Sequence, residues 1–242
     1  MPIDLTRLAQ FDTPTICNAI ELFEVRPRNE GYMDRRIRAC FPEMRPAVGY
    51  ASTAAIRCAA PRRGGDVYSS LEEHVGRFAE LPGPAMVVFQ DLDDPAVAAT
   101  FGEVMCSAYQ AFGASGIVTG GAARDLEQVR RLGFPAFSDG TICSHGYSHI
   151  VELHGMVRVG GVAVHPGDLI HADGNGVTTI PLEIAADVAD AAVELAAAES
   201  TVLDCLRSGK AGVAELQEAR REMTERLEGL GKRLRNKPKN AG

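Results

Sequence analysis

Two short segments hold the residue types that could bind and polarise a small anion. The first is Gly102-Glu103-Val104-Met105. Twenty residues, Val104 to Ala123, separate Glu103 from the second segment, Arg124-Asp125. That pair follows an apolar run, Gly116 to Thr119, and the turn Thr119-Gly120-Gly121. Sites of α/β folds lie at such strand ends. Glycines let a ligand approach the backbone, and the free N–H groups of a helix start favour an anion. An arginine can fork onto a carboxylate. An aspartate beside it can hold a divalent cation through oxygen or water ligands. The same residue types also fit a plainer arrangement, with Asp125 facing a helix dipole and Arg124 on the surface.

The histidines offer a rival chemistry. His145, His149 and His154, with Glu152, could suggest a transition-metal site, because His145 and His149 are four residues apart. Gly146 interrupts that run, so a loop of solvent-facing or core histidines is the alternative. His165 and His171 fall in a β-rich stretch whose alternation places them at edges, in structural roles. The nucleophile elbow and the phosphate loop are absent. Ser208-Gly209-Lys210 ends a helix, and Gly160-Gly161 precedes a strand rather than a helix, so no dinucleotide fingerprint is present.

The elements that would position these residues can be read from periodicity. Residues 2–25 form a short helical start, and 26–47 are irregular. Strands are expected over 51–58, 86–89 and 116–119, the last two as continuous apolar runs buried on both faces. Helices are expected over 68–81, 96–112 and 123–132, the last closed by Gly133. Residues 157–181 alternate, with turn dipeptides every few residues, and predict antiparallel β structure. The result is βα units followed by a β-rich module.

Pro181 marks the start of a helix running to about Arg207. Its apolar stripe, Ile184, Val188, Ala191, Leu195, Val202 and Leu206, clusters within about 40°. Glu199 projects onto the edge of this stripe and Glu194 well off it. A carboxylate there needs a cation, a proton or an exposed interface position, or else a salt bridge at the stripe edge. Leu216, Met223, Leu227, Leu230 and Leu234 then give a short heptad-like pattern. Such a helix packs on its own body or on a neighbouring subunit, and the Lys/Arg residues between 232 and 239 form a solvated end. The expected division is 1–210 as one α/β domain and 211–242 as a helical extension with a basic tail.

Composition excludes several classes. The chain has 242 residues, 45% hydrophobic and 24% charged, with a net charge of −7. That length buries a substantial core, and the charge fraction is globular. Acidity argues against binding nucleic acid through phosphates, and few aromatics and no Trp argue against base stacking. No apolar run is long enough for a membrane span, and the start lacks a signal-peptide pattern. Six scattered cysteines without C-x-x-C read as reduced thiols. A cytoplasmic protein is expected. Glycine is enriched, at 25 residues against a usual roughly 7%.

The runs GIVTGGAARD (116–125), GFPAFSDG (133–140) and VGGVAVHPGDLIHADGNGVTTIP (159–181) together resemble the RraA-like superfamily. The resemblance covers about residues 10–210. It implies a swivelling α/β/β domain, here with a C-terminal helical extension, assembled as homotrimers or homohexamers with sites between subunits. The superfamily includes metal-dependent, class II 4-hydroxy-4-methyl-2-oxoglutarate aldolases. Their pattern is an acidic residue, twenty residues, then Arg-Asp, matched here by Glu103 and Arg124-Asp125.

By this resemblance, the amides of Gly102, Glu103, Val104 and Met105, with the Arg124 guanidinium, would hold the pyruvyl carboxylate and keto oxygen. Asp125 would hold Mg²⁺ or Mn²⁺. A glutamate on the C-terminal helix of a neighbouring subunit would complete the metal shell, with Glu199 the candidate and Glu194 the fallback. A metal-associated water oriented by Glu103 would take the C4 hydroxyl proton and help return one to the enolate. The same enolate arises when oxaloacetate loses CO₂. The small-molecule partner is therefore a 2-keto acid, with neither nucleic acid nor membrane involved. One departure is visible: Gly120-Gly121 stands where the family usually has Asp-Gly, so a carboxylate near the site is missing. The alternative function is that of a non-catalytic regulator that binds an RNA-degrading enzyme, a branch that typically lacks the C-terminal acidic helix.

Overall fold

The computed structural model describes residues 3–62, 70–209 and 211–237. In chain order the elements are α1 (Leu5–Leu8), α2 (Thr13–Glu21), β1 (Arg38–Ala39), β2 (Ala47–Arg57) and α3 (Leu71–Gly76). A 3₁₀ turn at Arg77–Glu80 follows, then β3 (Ala85–Asp91), β4 (Ala99–Phe101), α4 (Glu103–Ala111), β5 (Gly116–Thr119) and β6 (Ala122–Ala123). After these come α5 (Leu126–Leu132), β7 (Ala136–Ser138), β8 (His149–Leu153), β9 (Val157–Val159) and β10 (Val162–Val164). The chain closes with β11 (Leu169–Asp173), β12 (Gly176–Ile180), α6 (Ala185–Arg207) and α7 (Val213–Asn236). It divides into two compact units, Gly31–Ile180 and a helical unit of the residues up to Glu30 with those from Pro181 onward.

The first unit is built on a mixed sheet of order β1-β7-β5-β3-β2-β11-β12. Strands β2, β3, β5 and β7 run parallel. Ten of the eleven residues of β2 are buried, because both faces of the strand are covered. On one face Ala54, Ile56, Val87, Phe89 and Ile117 pack against Cys106 and Tyr109 of α4 and Val129 of α5. On the other, Ala51, Met86, Val88 and Val118 meet Val157, Val159 and Val164 of the β9–β10 hairpin. Helices, sheet and hairpin thus form three layers. One side of β2 is shared: Ala47–Tyr50 pairs with β11 and Ala54–Arg57 with β8, with an irregularity at Ala55/Ile56.

The helical unit consists of α1, α2, α6 and α7. Asp12 caps α2 through the Thr15 amide at 2.8 Å. Val188, Ala191 and Leu195 of α6 are buried, and α7 lies along this helix, with Leu230 and Ala219 turned inward.

Several elements differ from expectation. The helix expected over 96–112 begins only at Glu103, since the buried Ala99-Thr100-Phe101 pairs with β6 as a short parallel strand. The helix expected over 123–132 begins at Leu126, because Ala122–Ala123 completes that pair. Helix α6 starts four residues past Pro181, after a tight turn in which the Ile184 amide bonds Pro181 O. Its stripe opens at the end, leaving Leu206 half exposed. Helix α3 covers only part of 68–81, and residues 68 and 69 lie outside the described residues. His171 is not at an edge but fully buried, since β11 runs between β2 and β12. The basic end is not simply solvated: Arg233 pairs with Glu194, Lys237 with Asp187, and Arg235 with Glu24.

Candidate active site

The short β4–β6 pair brings the two chemical segments together. Gly102 leaves β4 in an extended conformation and becomes the residue preceding α4. Asp125 follows β6 in the left-handed region, at φ 57°. Asp tolerates that region better than most residues, and non-glycine backbone strain of this kind concentrates at functional positions. The strain turns the Asp125 carboxylate away from its own helix and toward α4. Its Oδ2 accepts a hydrogen bond from the Glu103 amide at 3.1 Å and lies 3.6 Å from Arg124 Nε. The approach is close enough to require glycine at 102, because a Cβ there would collide with Asp125 Oδ2 and meet Arg124 Nε at 3.0 Å.

This packing leaves specific groups unused. The Val104 and Met105 amides are first-turn donors without an intrahelical partner. Asp125 Oδ1 has no partner among the described residues, and the Arg124 guanidinium has only the edge-on Asp125 contact. Both side chains are partly exposed, at 27% for Arg124 and 34% for Asp125. Arg124, Gly102, Val104 and Met105 line one small pocket together with Thr100, His145 and Ser148. The Arg124 cation and the unpaired α4 amides therefore meet as an anion-receptive site, with the Asp125 carboxylate beside Arg124. Glu103, at the start of α4, is exposed. Of the residues named from sequence, 102–105, 124 and 125 come together here.

Glu199 and Glu194 lie on α6 in the helical unit. Glu194 is paired with Arg233. Glu199 is half-buried, forms no ion pair among the described residues, and lines a cavity of that unit with Arg28, Arg235 and Leu195. The stripe-edge salt bridge weighed for Glu199 is thus not made.

The histidine metal site does not assemble. His145 Nδ1 is held by Gly146 O at 2.8 Å, His149 Nδ1 by Tyr147 O at 2.7 Å, and His154 Nε2 by Ser52 Oγ at 3.0 Å. Among the described residues one group of three potential ligands does come together, Cys58, Asp91 and Asp93, at the ends of β2 and β3. Burial pushes the Cys58 thiol up to about 11. Asp93 Oδ2 is already used by the Cys58 and Ala59 amides. Asp91 Oδ2 is buried without a partner, and burial raises its carboxyl above the usual range.

Sequence reading missed a buried chain of polar groups. Tyr109 Oη lies 3.0 Å from His74 Nδ1, and His74 Nε2 lies 2.9 Å from Ser52 Oγ, which also meets His154. Ser52, His74 and Tyr109 are fully buried. Burial, with His154 alongside, lowers the His74 pKa to about 4. No motif links positions 52, 74, 109 and 154. The strand-end rule, by contrast, would have found Cys58, Asp91 and Asp93.

Fold and site together define a three-layer α/β protein with an anion-receptive pocket beside its parallel strands. The chain belongs to the Aldolase/RraA family, whose model matches residues 13–179. A protein of Halalkalibacterium halodurans named "Putative 4-hydroxy-4-methyl-2-oxoglutarate aldolase" is 35% identical over 105 residues. That match spans 43% of this chain and 49% of the relative's length. Among solved structures, an uncharacterized protein from Pseudomonas syringae superposes with a TM-score of 0.69 at 22% identity, covering 91% of this chain and 95% of the other. Streptomyces coelicolor RraAS2, described as an unusual member of the RNase ES inhibitor RraA protein family, gives 0.64 at 23%, covering 81% and 92%. These two structures share the fold. Among the described residues, no helix is long and apolar enough to cross a membrane.

Proposed function

We propose that the chain is a divalent-metal-dependent carbon–carbon lyase acting on pyruvyl substrates of the 4-hydroxy-4-methyl-2-oxoglutarate type, with oxaloacetate decarboxylation at the same site. The observation that carries this reading is the shared pocket lined by Arg124 and the α4 start at Val104 and Met105, with the Asp125 carboxylate packed beside Arg124 Nε. The name of the 35%-identical relative supports it.

Asp125 fits a hard cation, because Oδ1 is free and Mg²⁺ is commonly held by one or two carboxylates with water and substrate oxygens. A bound Mg²⁺ or Mn²⁺ would supply positive charge at the substrate's keto oxygen. Arg124 binds the pyruvyl carboxylate in fork geometry, and the α4 amides donate to its oxygens. When the C3–C4 bond breaks, its electron pair passes into the pyruvyl unit as an enolate, which these donors stabilise. Glu103, at the rim, orients the water that returns a proton to C3. In a homotrimer or homohexamer, Glu199 of a neighbouring copy would help hold the cation. Its lack of an ion pair favours it over the paired Glu194.

The test is pyruvate release from 4-hydroxy-4-methyl-2-oxoglutarate and from oxaloacetate, with Mg²⁺ or Mn²⁺ and with EDTA. Metal-dependent release from both is expected, abolished by Arg124→Ala and with weakened metal dependence in Glu199→Gln. No release from either substrate would remove the enzymatic reading and leave the protein-binding one.

A further inference from the structure

We propose that His145, in place of the Glu103-oriented water that the resemblance implies, is the base that removes the C4 hydroxyl proton of an aldol substrate, an inference that rests on the pyruvyl-lyase reading of the pocket. His145 and Arg124 line the same pocket from opposite segments, the loop before β8 and the strand end before α5. A substrate whose pyruvyl end sits on Arg124 and the α4 amides must direct its C4 end toward another wall. Of the residues lining that pocket, His145 is the one whose side chain offers a nitrogen lone pair, since Arg124 has only donors and the others are hydroxyls, a thioether or apolar groups.

The local bonding fixes which nitrogen does this. His145 Nδ1 faces Gly146 O at 2.8 Å. A carbonyl oxygen can only accept, so Nδ1 carries the hydrogen and donates. The neutral ring then holds its lone pair on Nε2, the form a base requires. A hydroxyl group, which donates, is the matching ligand.

The loop that carries the ring is anchored at both ends. The Ala99 amide donates to Ser144 O at 2.8 Å, tying the loop to β4, and the Tyr147 amide donates to Cys58 O at 3.0 Å, tying it to the end of β2. Ser148 amide to His145 O, at 2.9 Å, closes the turn. The ring is therefore presented by a built turn resting on the same short strand that leads to Gly102.

The step balances as follows. Nε2 takes the C4–OH proton, the oxygen's electrons form the C4=O bond, and the C3–C4 pair moves into the pyruvyl enolate. The released keto fragment leaves, and the protonated ring returns its proton to solvent. Oxaloacetate has no C4 hydroxyl. Its decarboxylation forms the same enolate with no proton to remove at C4, so it provides an internal reference reaction in the same pocket.

The experiment measures both reactions with purified full-length protein and Mg²⁺, for the wild type, His145→Gln, His145→Ala and the neighbouring control His149→Gln. In the two His145 variants the ratio of aldol cleavage to decarboxylation is expected to fall ~10²–10⁴-fold, the usual contribution of general-base catalysis. The ratio in His149→Gln stays that of the wild type. Equal loss of both reactions, or loss of neither, in the His145 variants would overturn the role of His145 while leaving the lyase reading in place. A wild type that releases pyruvate from neither substrate would overturn the lyase reading itself, and the base with it.

Discussion

At the scale of single residues, the site is a set of close approaches rather than a list of reactive groups. Gly102 shows this best. Its backbone is extended and open to any residue, so its identity is set by space: Asp125 Oδ2 and Arg124 Nε occupy the volume a Cβ would take. Gly102→Ala should therefore displace the cation and the carboxylate together. A shift of the order of 1 Å in such groups costs roughly 10²-fold in rate. We expect kcat/KM to fall by about that factor while the thermal midpoint moves only a few degrees; steady-state kinetics beside a melting curve separates the two effects. The acidic-x₂₀-Arg-Asp spacing made these residues legible in sequence. It gave no sign that Asp125 would adopt a left-handed backbone and cap α4 instead of its own helix, because that choice is made by the β4–β6 pairing.

At the scale of elements, the adjacent glycines after β5 have opposite reasons to be there. A Cβ on Gly121 would meet Asp91 Oδ2 at 2.5 Å and Thr100 Cγ2 at 2.8 Å. A Cβ on Gly120 would meet nothing closer than Val159 Cγ1 at 3.9 Å. Gly121→Ala should destabilise by about 1–3 kcal/mol through overpacking, and Gly120→Ala by less than about 0.5 kcal/mol. Urea unfolding of both variants checks the contrast. From sequence the two were indistinguishable, since proximity to Asp91, thirty residues earlier, depends on β3 and β5 lying side by side. The buried strands themselves were legible, because continuous apolar runs allow few other placements. At 96–112, three residues of a helical pattern were taken by a two-strand pair formed with a distant segment, which also shortened the helix expected over 123–132. Periodicity does not register such pairings.

At the scale of the whole molecule, His74 ties stability to pH. Its folded pKa of about 4 lies below the roughly 6.5 of an unfolded histidine, so the unfolded chain binds the extra proton between those values. Stability then rises with pH across that window and is lost as pH falls from about 6.5 toward 4, by an amount on the order of 3 kcal/mol. His154, also lowered by burial, adds to the same slope. Denaturant midpoints at pH 7 and pH 5 should show the loss, and His74→Gln should flatten the difference between them. Composition hinted at none of this, because a buried His and an exposed one count alike in a net charge.

The division of one side of β2 between β11 and β8 has a consequence for how the pocket is put together. The anion-holding groups enter on β4, β6 and the helices after them, whereas the loop carrying His145 enters between β7 and β8. Because β8 takes only the second half of β2, a change in that loop would be felt at β4 and the end of β2, where it is tied, and not in the register of β11 and β12 on the first half. The two walls of the pocket thus belong to separate segments, one set by the β4–β6 pair and the other by a turn tied to β4 and the end of β2. On the lyase reading proposed above, substrate choice and enolate formation would then be set by different segments of the chain.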